Sequence, residues 1–221
     1  MKFSITDENV LNMSELAYII ARRLLEIEAI KFNFKKPFIW TSGWKSPVYC
    51  DNRASLSNHD LRSMVRDAYV EIIRDKFPDV EVIAGVATGA IAQGVLVADK
   101  LNLPFVYVRD KRKEHGLKRI IEGNLEKGQK VVILEDLVST GGSSLKAWDE
   151  LKDADADVLG MIAAFSYDFD ATKKKFIRNN YTLETISTFL IIKDIALKEG
   201  YVTKEEFVKL ETWHKNPQDY T

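Results

Sequence analysis

Residues 131–144 read VVILEDLVSTGGSS and hold the side chains best suited to chemistry in this chain. The adjacent carboxylates Glu135 and Asp136 follow the apolar run Val131, Val132, Ile133 and Leu134. After them come Leu137, Val138, Ser139, Thr140, Gly141, Gly142, Ser143 and Ser144. Such an apolar run makes a buried strand, so the acids fall where the strand should end, and the hydroxyl- and glycine-rich stretch opens a helix. Successive backbone N–H groups in a glycine turn at a helix N-terminus bind phosphate. Thr140 and Ser143 add hydroxyl donors. Two acids would repel a phosphate standing alone, but they suit a ligand that also presents sugar hydroxyls or a bound Mg²⁺. The plainer reading is an ordinary strand-to-helix turn with one exposed acid and one capping aspartate. The acids together with the polar and glycine run weigh toward a phosphorylated sugar. The stretch is not a Walker A loop, because no Gly-Lys-Ser/Thr follows, and it is not a GxGxxG fingerprint.

Three further groups have chemistry to offer. Ala87, Thr88 and Gly89 follow an apolar strand, and their small size lets backbone approach a ligand closely, although a plain helix entry fits them equally well. Residues 109–119 carry Arg109, Lys111, Arg112, Lys113, Lys118 and Arg119 against Asp110 and Glu114, with His115 in the middle. Such a run is usually a solvated face. It has no interleaved aromatic residue, which argues against a nucleic-acid surface. Cations on a loop of this length also suit closure over a polyanionic substrate, where they stabilise charge on a phosphate leaving group. The aromatic segment 42–53 ends in Arg53, which can fork onto a carboxylate or stack on a planar ring. A hydrophobic flap with a surface salt bridge fits that segment as well. Cys50 lies in an apolar-aromatic stretch and reads as a small buried residue rather than a nucleophile. His59, His115 and His214 lack metal-ligand spacing, so zinc is not expected.

The elements that must position these groups alternate. A capping-box-like start at Asn12 and Glu15 predicts a helix to about residue 30. Residues 32–53 read as a strand-and-turn segment broken by Pro37, Gly43 and Pro47, and a second helix spans 59–77 before Pro78. Strands are then predicted over 80–86, 104–108, 130–135, 158–166 and 181–187. Helices are predicted over 90–101, 143–152, 171–179, 189–199 and 203–213. Apolar strands alternating with helices imply an α/β fold whose parallel sheet is covered on both faces. The roughly 20 residues between Val108 and Lys130 break that rhythm, and loops of that length in compact domains are usually functional. The chain has 221 residues, 46% hydrophobic and 29% charged, which fits one globular domain. Its formal net charge of −1 gives no global signal for nucleic acid or membrane. No window of about 18 apolar residues predicts a membrane span. A single cysteine excludes an internal disulfide and fits a reducing compartment. The N-terminus MKFSITDENV does not read as a signal peptide, so the expected location is cytoplasmic.

VVILEDLVSTGGS at 131–143 resembles the signature of the type I phosphoribosyltransferases, which bind 5-phosphoribosyl-1-pyrophosphate. KEHG at 113–116 with IEG at 121–123, TSGWKSPVYCDNR at 41–53 and TWHKNP at 212–217 are similar to the orotate-using branch of that family, in its shorter-loop bacterial form. The similarity runs over nearly the whole chain. It implies a single domain with a parallel-sheet core over about 60–200, and a small hood from residues 1–55 and the C-terminal segment. It implies transfer of a phosphoribosyl group to orotate in UMP synthesis, with Mg²⁺ held mainly through the donor substrate rather than by direct protein ligands. It also implies a homodimer in which loop 109–123 completes the neighbour's site. Carried over by position, Arg109, Lys113 and His115 contact pyrophosphate, with Lys113, His115 and Asp136 as the catalytic set. Glu135 and Asp136 hold ribose hydroxyls, residues 137–143 bind the donor and its 5′-phosphate, and Ala87, Thr88 and Gly89 face the pyrophosphate. Ser139, Arg53 and Tyr49 are assigned to orotate. The chain departs from long-loop relatives at Thr41, Gly89, Asp110 and the Tyr167–Asp168 pair. A purine or uracil acceptor, and a non-catalytic sensor of the same donor that regulates transcription, are the rival readings. The KEHG loop and the N-terminal aromatic segment weigh against the first, and the loop and the neutral overall charge against the second.

Overall fold

The computed structural model describes residues 12–40, 42–110 and 120–220. Helix α1, Met13–Glu26, opens on the expected capping box: Asn12 Oδ1 accepts from the Glu15 N–H at 3.0 Å, and the Glu15 carboxylate accepts from the Asn12 N–H at 3.1 Å. It ends before residue 30 because Glu28 takes a left-handed φ of 54°, and the chain turns into strand β1, Ile30–Phe32. The aromatic segment forms β2 (Phe38–Ile39), β3 (Lys45–Ser46) and β4 (Val48–Cys50). β1 pairs antiparallel with β4, and β2 with β3. A short 3-10 turn, Asn52–Ser57, leads into α2, His59–Lys76. The core follows as β5 (Val82–Val86), α3 (Ile91–Leu101), β6 (Phe105–Val108), β7 (Ile121–Glu122), β8 (Lys130–Val138), α4 (Gly142–Asp153), β9 (Asp157–Ser166), α5 (Asp170–Arg178), β10 (Leu183–Thr188), α6 (Phe189–Lys198) and α7 (Lys204–Lys215).

These strands make one six-stranded sheet in the order β10-β9-β8-β5-β6-β7. Every neighbouring pair is parallel except β6 and β7. Helices cover both faces, and β8 shows why its sequence is uninterruptedly apolar. Val132 and Leu134 join the core under α1, α2 and α6, while Val131 and Ile133 join the core under α4 and α5, beside Trp148, Leu151 and Phe176. Alternate side chains of a strand point to opposite faces, so a strand buried on both faces needs apolar residues at every position. At the hood, Trp40 lies 4.6 Å from Tyr167 and meets Trp213 of α7 edge-on at 5.9 Å between ring centroids. Aromatic contacts thus fasten the N-terminal hairpin to the C-terminal helix, each pair adding about 0.5–1.5 kcal/mol beyond its buried area.

Two further elements differ from the sequence reading. Strand β7 was expected as loop, but Tyr107 pairs with Glu122, Val108 with Ile121, and the Arg109 N–H donates to the Ile120 carbonyl at 2.8 Å. The two segments that flank the basic loop are therefore hydrogen-bonded to each other. A two-residue strand carries too little periodicity to be read from sequence. Strand β8, expected to stop at the acids, runs through them to Val138. Its pairing with β9 continues through Glu135–Ala163, Leu137–Phe165 and Val138–Ser166, whereas its last partner on β5 is Gly85, opposite Leu134. The acid pair is thus held on one flank and open on the other. The open flank lies where the chain order reverses between β5 and β8, the crevice in which open parallel sheets bind ligands.

Candidate active site

Asp136 and the turn after β5 meet in this crevice. The Ala87–Thr88 peptide is cis. A Cβ placed on Gly89 would lie 2.0 Å from Asp136 Oδ2, so the carboxylate packs straight against bare backbone. Only glycine tolerates that approach. Asn52, Arg53, Tyr69, Gln93 and Ala164 line the same crevice with Asp136 and Gly89.

The two acids sit differently. Glu135 is 3% exposed, and both of its oxygens are engaged: Oε2 accepts from Ser144 Oγ at 3.0 Å and Oε1 from the Asp136 N–H at 3.1 Å. It ties β8 to α4, and Asp136 alone of the pair reaches the crevice lining. Their main-chain carbonyls are also held. Tyr69 Oη donates to the Glu135 carbonyl at 2.6 Å, and Asn52 Nδ2 to the Asp136 carbonyl at 2.6 Å. Burial, then the neighbouring Asp136 charge, pushes the Glu135 carboxyl well above the usual carboxylate range. Burial also raises Asp136, opposed by hydrogen bonds from Glu135 and the Leu137 N–H and by the Arg53 charge. Two adjacent carboxylates in a poorly hydrated site do not readily both ionise. Of the two, Glu135 is pushed the more strongly toward its protonated form.

Beyond Val138 the chain makes the glycine turn into α4. Gly141 stands at the N-cap with φ of 77°, and no side chain caps the helix. The N–H groups of residues 139–144 find no acceptor among the described residues, while Ser139 and Thr140 turn their carbonyls toward α5. Unsatisfied N–H groups at the positive end of a helix dipole make an anion site. Three residues after the Asp136 carboxylate, this arrangement suits a ligand with a phosphate at one end and hydroxyls or a chelated cation at the other.

Comparison with known proteins agrees. The phosphoribosyl transferase domain family model matches residues 55–199. The orotate phosphoribosyltransferase of Bacteroides fragilis is 48% identical over 205 residues, which is 93% of this chain and 97% of the relative. The chain belongs to the orotate phosphoribosyltransferases. The Porphyromonas gingivalis member of this family is 46% identical over 208 residues, covering 94% of this chain and 99% of the relative. Among solved structures, the orotate phosphoribosyltransferase of Aeropyrum pernix superposes with a TM-score of 0.71 at 27% identity, covering 83% of this chain and 99% of that one. Leishmania donovani UMP synthase superposes with a TM-score of 0.75 at 25% identity, covering 90% of this chain and 42% of that one.

Within that family frame the remaining expected residues fall unevenly. Lys113 and His115 lie outside the described residues, as does Thr41. Arg109 stands at the start of the basic loop, 3.3 Å from Glu122. Its neighbour Asp110 is engaged by Lys146 of α4. Arg53 lines the crevice, but its guanidinium is forked onto Asp51, with Nε 2.7 Å from Oδ1 and Nη2 3.0 Å from Oδ2. That pairing lowers the Asp51 carboxyl, chiefly through the Arg53 hydrogen bond. A ligand carboxylate reaching Arg53 would have to compete with Asp51. Tyr49 is exposed and tilts against Phe38 at 5.4 Å. Burial and the Asp136 and Asp51 charges push the Cys50 thiol well up, so it stays protonated and donates weakly to Asn52 Oδ1 at 3.3 Å. Tyr167 is buried between aromatic rings, and the next residue, Asp168, pairs with Lys173 at 2.7 Å. His214 bonds the Tyr167 carbonyl through Nε2 at 2.6 Å, and burial lowers its pKa, so the neutral ring donates there. Asn52, Tyr69 and Ser144, which hold the acids, carried no separate signal in the sequence. Ser144 adjoins the glycine turn, but its bond to Glu135 appears only once α4 folds back along β8.

Proposed function

We propose that this chain transfers the 5-phosphoribosyl group of phosphoribosyl pyrophosphate to orotate, forming orotidine 5′-phosphate and pyrophosphate in UMP synthesis. The observation that carries this reading is the packing of Asp136 against the bare backbone of Gly89 at the β5–β8 crevice, with the donor-lined turn 139–144 beginning three residues further along the chain. Asp136 orients the ribose hydroxyls, with Glu135 backing it from inside. The turn holds the 5′-phosphate, and residues 87–89 face the pyrophosphate. Arg109, Lys113 and His115 stabilise the departing negative charge, and His115 can donate a proton to it. Ser139, Tyr49 and Arg53 border the acceptor, whose ring nitrogen attacks the anomeric carbon.

The site also suits Mg²⁺. Among the described residues no group of three or more acidic, histidine or cysteine side chains is arranged as a metal cage. Magnesium is commonly held by one or two carboxylates plus substrate oxygens, and Asp136 offers such a carboxylate. When bound, the ion would neutralise charge on the pyrophosphate. The reading extends to a homodimer whose loop 109–123 completes the neighbouring site, and to the cytoplasm, which a single free cysteine suits. Among the described residues no helix is long and apolar enough to cross a membrane.

The test is pyrophosphate release by purified protein with Mg²⁺, phosphoribosyl pyrophosphate, and orotate, uracil, adenine, guanine or hypoxanthine in turn. Turnover with orotate alone is expected. Turnover with a purine or uracil, or donor binding without turnover, would overturn the assignment. Lys113→Ala should lower kcat by about 10²–10³, and a near-normal kcat would remove the basic loop from the machinery.

A further inference from the structure

We propose that Thr172 and Lys175 of α5 are positioning residues that set the anion-binding turn from behind. This rests on the reading of residues 139–144 as the 5′-phosphate site. Four consecutive carbonyls of the turn are tied. Val138 O accepts from the Tyr167 N–H at 3.0 Å, Ser139 O from Thr172 Oγ1 at 2.7 Å, Thr140 O from Lys175 Nζ at 3.0 Å, and Gly141 O from the Leu145 N–H at 3.0 Å. A trans peptide is planar, and its C=O and N–H point in opposite directions. Fixing the carbonyls of residues 138, 139 and 140 against Tyr167 and α5 therefore turns the N–H groups of Ser139, Thr140 and Gly141 away from that wall. Those donors are left without acceptors among the described residues. Without the α5 latches, the peptides after Ser139 and Thr140 could rotate and withdraw two of the donors.

The rest of α5 fits this role. Thr172 is 4% exposed, and with Phe176 one turn later it forms the buried face of the helix. A Cβ on Gly141 would meet Thr172 Cγ2 at 3.1 Å and Phe176 Cε2 at 3.3 Å, so α5 also backs the left-handed residue of the turn. Lys175 is exposed and reaches the turn through its Nζ. Neither residue touches the crevice lining; both act through backbone.

The experiment titrates ribose 5-phosphate into the full-length protein by calorimetry, alongside the steady-state assay with orotate. Thr172→Val, which removes the hydroxyl and keeps the shape, should weaken ribose 5-phosphate binding by about five- to tenfold. It should raise KM for phosphoribosyl pyrophosphate in step, while kcat and KM for orotate stay within about twofold. Thr172→Ser should restore binding. Lys175→Ala, at an exposed position that does not threaten folding, should weaken binding by about threefold. Unchanged ribose 5-phosphate affinity in both Thr172→Val and Lys175→Ala would overturn the proposal. So would a parallel fall of kcat and thermal stability at constant affinity, and so would failure of the unaltered protein to bind the probe. If the unaltered protein binds the probe, weakens as predicted on substitution, and yet turns over no orotate, the positioning role stands and the assigned reaction falls.

Discussion

The acid half and the phosphate half of the β8–α4 connection sit within a few residues of each other and prepare for a ligand by opposite means. At Glu135 and Asp136 the main-chain carbonyls are taken by Tyr69 and Asn52, and what reaches the crevice is the Asp136 side chain. At residues 139–144 the carbonyls of Ser139 and Thr140 are drawn back to α5, and what is offered is the backbone N–H row. The contrast follows from charge. Hydroxyls and cations need an anionic acceptor, which peptide groups supply weakly. A phosphate needs several converging donors, which a turn at a helix start supplies without buried cationic side chains. The acid half carries desolvated charge and so depends on pH. The phosphate half depends on backbone conformation.

The largest expected effect tests the acid half through its neighbour. Gly89→Ala places a methyl group on the Asp136 carboxylate, and a carboxylate displaced by about 1 Å should lower kcat/KM by about 10²-fold with little loss of stability. Steady-state kinetics within a fewfold of the unaltered protein would show that Asp136 is not held where the crevice needs it. Asn52→Ala strips the Asp136 carbonyl of its donor, and about 1–3 kcal/mol of stability should go with it. Chemical denaturation showing no loss would mean the carbonyl finds another partner.

Gly141→Ala probes the phosphate half. A left-handed alanine costs about 1–2 kcal/mol, and its methyl would press on Thr172. Donor affinity should fall more than orotate affinity, and equal losses measured for the two substrates would argue that the turn is not the phosphate site.

The smallest effect separates the halves by pH. Glu135 titrates higher when folded than when unfolded, so the native state binds more protons, and its contribution to stability falls as pH rises past the ordinary carboxylate range. Glu135→Gln removes that liability. Its melting temperature relative to the unaltered protein should be more favourable at pH 8 than at pH 5, whereas Gly141→Ala should show a pH-independent difference. A pH-independent Glu135→Gln difference would contradict the raised carboxyl.

By itself the sequence determined the parallel sheet, the capped start of α1, the acid pair and the glycine turn. Each of these is written in neighbouring residues whose periodicity or backbone demands are local: apolar Val131 to Leu134, Asn12 before Glu15, and Gly141 where φ turns positive. Tertiary structure decided how those pieces are used. The extension of β8 to Val138 depends on β9 supplying partners that β5 does not. The inward turn of Glu135 depends on Ser144, and the capture of Arg53 by Asp51 depends on the geometry of the 3-10 turn. Asn52 reaches across 84 residues of sequence to Asp136, and Tyr69 across 66 to Glu135. Thr172 lies 33 residues from Ser139. No periodicity connects such pairs, because their hydrogen bonds exist only after the sheet and its covering helices have packed.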